Sequence, residues 1–160
     1  MLDVFEQAYK SSLETSRQVA IELNDYWSGI GISPVLATQL ELCVVEMVNN
    51  TYIHAYSEQE GKPVKVKCNL NEDSETKTIC IDIIDRGESM TQTQLEKALS
   101  NEFVDMDPDD DTTWTTSGRG FMIVSALMDD VKLRVEDGEN CFMMTKELEE
   151  SDLIENVSPP

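Results

Sequence analysis

The sequence predicts an α+β fold, a two-layer sandwich in which a mixed, mostly antiparallel sheet is covered on one face by helices. Three observations lead there. At 160 residues the chain is one domain, large enough to bury a core without disulfide or metal staples. Between residues 34 and 56, Leu36, Leu40, Cys43, Met47 and Thr51 recur at the spacing of one helix face. Around that helix lie short strand-like runs, and the last two read as a closing hairpin.

In chain order, Val4 to Lys10 forms a short first strand, and a helical pattern follows from Leu13 through Arg17, Ala20, Ile21 and Leu23 to Tyr26 and Trp27. Gly29-Ile-Gly31-Ile-Ser33-Pro34 is a break, with Ser33 as cap and Pro34 as first helical position of a helix running to about Tyr56. Gly61-Lys-Pro63 opens a strand from Val64 to Leu70, where Val64 and Val66 alternate with Lys65 and Lys67. Thr78 to Asp85 is a second, Ile-rich strand, which suits a central place in the sheet. Met90 and Thr91 lead into a short helix in which Thr91 and Gln94 form a capping box. Asn101 to Thr116 is a long acidic stretch, and residues 91–116 read as a lid. Helix returns from Gly120 to Met128, followed by a hairpin of Val131 to Val135, the turn Asp137-Gly138-Glu-Asn140, and Cys141 to Lys146. The domain is set at residues 1–148, and the acidic, proline-ended segment 149–160 reads as a disordered tail.

Composition narrows the function. The formal charge of −20 opposes nucleic-acid binding, which rests on neutralising phosphates. It serves solubility or attraction to a basic protein surface. No stretch approaches the ~20 apolar residues of a membrane span, and the start carries no secretory signal. The cysteines at 43, 68, 80 and 141 lack metal-type spacing, and three sit in apolar runs, which suits a reducing cytoplasm. The run Asp105 to Asp111 fails as an EF-hand loop, because its sixth position is Asp110 and its twelfth Thr116.

Three stretches in fixed order carry the chemistry. Glu46-Met-Val-Asn-Asn50-Thr-Tyr-Ile-His54 sets a carboxylate, a carboxamide and an imidazole at four-residue steps, so all three leave one helix from nearly the same face. Asp85-Arg-Gly87-Glu-Ser89-Met90 ends an apolar strand in a glycine turn, and Ser117-Gly118-Arg119-Gly120-Phe121 opens an apolar helix. The ordered set resembles the N box and the two glycine boxes of the Bergerat-fold ATPases, the superfamily of gyrase-type, chaperone and histidine-kinase ATP-binding domains. Glu41-Leu-Cys-Val-Val-Glu46, His54-Ala-Tyr56 and Met128-Asp129-Asp-Val131 are most similar to the stand-alone anti-sigma-factor serine kinases of bacteria. The resemblance spans roughly residues 4 to 147.

It implies a sandwich of Bergerat type that binds ATP with Mg²⁺. Asn50 suits the metal, since a carboxamide offers a neutral oxygen and Mg²⁺ keeps waters and phosphate oxygens for the rest of its shell. Glu46, one turn earlier, is the candidate base for an attacking hydroxyl. Asp85 is acceptor-only, so it can read the adenine amine, with Gly87 letting backbone approach the base. Ser89 replaces a second glycine of the family pattern and puts a side chain at a crowded wall. Gly118 and Gly120 hold phosphate with backbone N–H groups and a helix N-terminus, while Arg119 neutralises phosphate or faces solvent. Ser117, Ser89, Met90 and Phe121 complete the expected nucleotide contacts; His54 and Tyr56 receive no catalytic role.

The resemblance further implies a serine/threonine protein kinase that sequesters a sigma factor and phosphorylates a small anti-anti-sigma antagonist. No nucleic-acid or membrane partner is expected, and homodimerisation is left open. The alternative is a non-catalytic module that keeps the fold and only sequesters a regulatory protein. A histidine-kinase catalytic domain is disfavoured, because the sole histidine, His54, lies within the pocket helix and no helical hairpin carries a phosphoacceptor.

Overall fold

The computed structural model describes residues 4–72, 75–99 and 118–154. Five strands, β1 (Val4–Lys10), β2 (Pro63–Asn71), β3 (Thr78–Asp85), β4 (Asp130–Glu136) and β5 (Glu139–Glu147), form one sheet in the order β1-β2-β3-β5-β4. Every pairing is antiparallel, so the sheet is wholly rather than mostly so. Alternation does the sorting: in β2 and β3 every second residue is buried, and its neighbour faces the open side with partial exposure. The Ile-rich strand is central, as its composition predicts, with Ile79, Ile81 and Ile83 all under the helices.

Four helices cover that inner face among the described residues: α1 (Thr15–Gly29), α2 (Pro34–Asn50), α3 (Gln92–Leu99) and α4 (Gly118–Leu127). Ser33 caps α2 through its Oγ, which accepts from the Leu36 N–H at 3.2 Å, with Pro34 at the first helical position. The capping box of α3 forms in both directions, Thr91 N–H to Gln94 Oε1 at 2.8 Å and Gln94 N–H to Thr91 Oγ1 at 3.0 Å. Leu95 and Ala98 bind α3 to the core, so the beginning of the expected lid is a packed helix. The rest of that lid, residues 100–116, and the acidic run within it lie outside the described residues.

The buried stripe of α1 is Val19, Leu23 and Trp27, while Leu13 and Ile21 stand out in solvent. Trp27 is fully buried and its indole N–H faces Cys68 Sγ at 3.5 Å, joining α1 to β2. The stripe Leu36, Leu40, Cys43, Met47 and Thr51 is buried as its spacing predicts. The long helix is not α-helical to its end, however. From Thr51 to Ala55 it widens into a π-turn, with the Tyr56 N–H reaching back five residues to Thr51 O at 3.0 Å.

The tail expected to be disordered from Glu149 onward is folded as far as Ile154. Glu150–Asp152 makes a 3₁₀ turn with a Glu149–Asp152 capping box. Asp152 O then accepts from Ser33 N–H at 2.8 Å, and Ile154 donates to Gly31 O at 2.7 Å. Acidic composition misleads here because Leu153 packs against the core and backbone bonds from Asp152 and Ile154 fix the segment. No helix among the described residues is long and apolar enough to cross a membrane.

The core makes a plain demand on Trp27. Replacing it with alanine removes the contact between α1 and β2 and should cost about 3–5 kcal/mol of unfolding free energy, measured by urea denaturation.

Candidate nucleotide site

The three stretches meet at one end of the sheet, where β3 ends, β5 begins and α2 turns. A small cavity of about 50 Å³ is lined by Met47, Asn50, Thr51 and Ala55 from the α2 region and by Ile83 and Asp85 from β3. The turn after β3 adds Glu88, Ser89 and Met90, while Phe121 of α4 with Leu133, Asn140 and Phe142 closes the far side. Phe121 and Phe142 pack edge to face at 6.1 Å, and the apolar wall suits the face of a planar heterocycle.

Asp85 is 8% exposed and held by a closed set of bonds. Its Oδ1 accepts from the Gly87 N–H at 2.9 Å and from Asn140 Nδ2 at 2.8 Å. The same Nδ2 donates to Gly87 O at 2.9 Å. Burial pushes the Asp85 carboxyl above its ordinary value, against the opposing pull of hydrogen bonds from Asn140, Gly87 and Thr51.

Gly87 has a firmer reason to be glycine than approach to a base. It does not line the cavity; a Cβ there would stand 2.3 Å from the Ala55 carbonyl oxygen and 2.9 Å from the Tyr56 ring. The turn after β3 is thus pressed onto the π-turn, and Glu88 N–H seals the contact to Ala55 O at 2.8 Å. Tyr56, given no role from sequence, braces the same corner: its hydroxyl donates to Pro63 O at 2.6 Å and accepts from Arg86 N–H at 2.7 Å.

Glu46 and Asn50 lie one turn apart in α2 as the four-residue spacing suggests, but His54 does not continue their face. Asn50 is buried and lines the cavity, with Nδ2 toward Met47 Sδ at 3.8 Å. Glu46 is half-buried and lies against the start of α4: a Cβ on Gly120 would be 3.1 Å from Glu46 Oε2 and 3.3 Å from Met47 Cε. His54 is buried off the cavity lining, and burial lowers its pKa despite the nearby Glu58. The π-turn is the physical cause, since it starts between Asn50 and His54 and changes the angular step.

Ser89 is exposed at the mouth rather than crowding a wall, and Met90 is buried beneath it. Gly118 and Arg119 are the first residues of α4, so their backbone N–H groups belong to its N-terminus. Ser117 lies outside the described residues. The residues missed from sequence are the walls, Thr51, Ile83, Leu133 and Phe142, together with Asn140. Inward alternation along β5 would have found the last two; Asn140 was assigned to the hairpin turn instead. All four cysteines are free, and no cluster of metal-binding side chains occurs among the described residues.

Two substitutions probe this geometry. Gly87→Ala should lower thermal stability by several degrees and expand the cavity floor, since neither contact is a movable side-chain tip. Asp85→Asn retains the Oδ1 acceptor but removes a buried charge. Because the folded-state pKa is raised, ionised Asp85 costs stability above its ordinary value near 3.8, a cost that grows as pH rises through the raised value. The variant should therefore match or exceed wild type in stability at neutral pH, and the difference should shrink toward acid in thermal melts across that window. ATP binding, measured by calorimetry, should fall by about tenfold or more because an amide N–H2 donor replaces an acceptor oxygen.

Comparison with known proteins agrees with this geometry. The histidine kinase-like ATPase domain matches residues 9–146. The serine-protein kinase RsbW of Oceanobacillus iheyensis is 28% identical over 152 residues, covering 94% of this chain and 90% of that protein. The anti-sigma F factor of Pasteuria penetrans is 32% identical over 116 residues, 71% of this chain and 70% of that one. A solved structure of RsbU and RsbW domains from Mycobacterium tuberculosis shares the fold, with a TM-score of 0.61 at 15% identity over 90% of this chain; this chain spans only 32% of that longer one. A domain match covering most of the sequence, on a fold whose cavity gathers the same three stretches, places the chain in the histidine kinase-like ATPase domain family.

Proposed function

We propose that the protein is an ATP-dependent serine/threonine protein kinase working as an anti-sigma-type switch in the bacterial cytoplasm. It binds a sigma-factor-like regulator and transfers the γ-phosphoryl group of ATP to a hydroxyl of a small antagonist protein. The observation that carries this reading is the buried Asp85 at the end of an apolar cavity, with Oδ1 engaged by two N–H donors and the carboxylate lining the cavity wall. The names of the relatives, a serine-protein kinase and an anti-sigma factor, support the choice of reaction.

The residues fit Mg²⁺ delivered with nucleotide. Asn50 lines the cavity, and its Oδ1 makes no hydrogen bond among the described residues. One neutral protein oxygen is what an ion keeping waters and phosphate oxygens asks for. When bound, the ion would neutralise charge on the phosphates. Glu46, beside the start of α4, accepts the proton of the substrate hydroxyl as its oxygen attacks the γ-phosphorus and ADP leaves. The α4 N-terminus supplies N–H donors for phosphate, which matters in a chain of charge −20. That same charge suits a basic protein surface as partner.

Ser89, the departure that favours a non-catalytic module, is exposed at the mouth and so leaves the cavity open. The test is phosphate transfer from labelled Mg-ATP to an antagonist captured from the native cell. Wild type should transfer phosphate, and Glu46→Gln should bind ATP within about twofold of wild type yet transfer it about 100-fold more slowly or worse. Wild type that binds Mg-ATP and captures its partner without transfer would establish the sequestering module instead.

A further inference from the structure

Asn140 sits directly opposite Asp85 in the β3–β5 register, two residues after the hairpin turn of Asp137 and Gly138, whose φ values of 54° and 80° fix where β5 begins. It is 6% exposed. Its two measured partners, Asp85 Oδ1 at 2.8 Å and Gly87 O at 2.9 Å, are both acceptors, so the amide nitrogen must face them and its orientation is settled chemically. A side chain needed only to fill the strand would not spend both N–H bonds on the one carboxylate and the one turn that border the cavity. The neighbouring Arg86–Glu139 pair, 3.2 Å apart and well exposed, already ties the hairpin to that turn.

We propose that Asn140 is the positioning residue of the base-reading site: it locks Asp85 through Oδ1 so that the carboxylate presents one fixed acceptor edge to the cavity, and thereby sets the preference for a purine presenting an N–H donor over one presenting a carbonyl. This rests on the nucleotide reading above. The reasoning is geometric. With Oδ1 held by Gly87 and Asn140, the carboxylate cannot swing, and a 6-oxo purine would meet a fixed acceptor with its own acceptor. Without Asn140, the carboxylate can turn or take up water, and the penalty against the wrong base relaxes.

The test uses the full chain as wild type, Asn140→Asp and Asn140→Ala. Asn140→Asp keeps the shape and swaps the donor for an acceptor; Asn140→Ala serves should the paired carboxylates prevent folding. Binding of Mg-ATP and Mg-GTP is measured by calorimetry, and amide hydrogen exchange is followed at Gly87, with Val66 and Ile81 as controls. Wild type should prefer ATP. Both variants should narrow the ATP-to-GTP ratio by about tenfold and speed exchange at Gly87 by a similar factor, with the controls unchanged. A purely structural Asn140 would weaken both nucleotides equally or loosen the controls as well, and either result overturns the proposal, as does unchanged Gly87 exchange. Wild type that binds neither nucleotide sinks the nucleotide reading and this role with it. Wild type that prefers ATP, with variants that keep the same preference, sinks the role alone.

Discussion

The site exists because the turn after β3 can lie flat against the end of α2. That contact is a backbone-on-backbone approach of Gly87 to the Ala55 carbonyl, too close for any side chain. It holds the sheet and the helical layer at a fixed separation at the one place where they would otherwise part, and the cavity is the space left beside it. The Tyr56 hydroxyl, bonded to Pro63 O and to Arg86 N–H, locks the same corner from β2. A backbone brace beside the cavity is rigid, which is what a pocket needs if it is to hold a planar ring without first paying to order itself.

Much of the fold was legible because local rules and global packing agree. Ser33-Pro34 announces the start of α2, and the Thr91–Gln94 box announces α3, each through bonds confined to four residues. The two-residue alternation of β2 and β3 states which side faces the helices. What stayed hidden depends on tertiary context. The π-turn at Thr51–Ala55 has no signature in residues that favour an ordinary helix, and it separates His54 from Asn50 and Glu46. Asn140 looked like turn chemistry because Asn beside Asp-Gly usually is; only the register with Asp85 turns it into a buried strand residue. The folding of Glu149 to Ile154 was masked by acidic composition, since a backbone pairing with the α1–α2 turn leaves no periodic trace.

Charge is distributed with some economy. A chain of −20 must receive a polyanion, and the described part of the site answers with geometry more than with cations. Arg86, the basic residue in the turn beside the cavity, is engaged by Glu139. The oriented N–H groups at the start of α4 and the hydrogen bonds that keep Asp85 ionisable use fixed dipoles, whose strength does not fade with salt as surface charge does.

The pairing of Leu153 with Ile32 also bears on the order in which the molecule assembles. Ser33 gives its N–H to Asp152 and Gly31 its carbonyl to Ile154, so the elbow that launches α2 is finished by residues synthesised some 120 positions later. During folding, the first two helices can form early, yet the elbow between them is completed only once residues 152–154 are in place. The start of the helix that carries Glu46 and Asn50 is therefore among the last parts of the fold to be finished, a non-local closure on which a local-looking element waits.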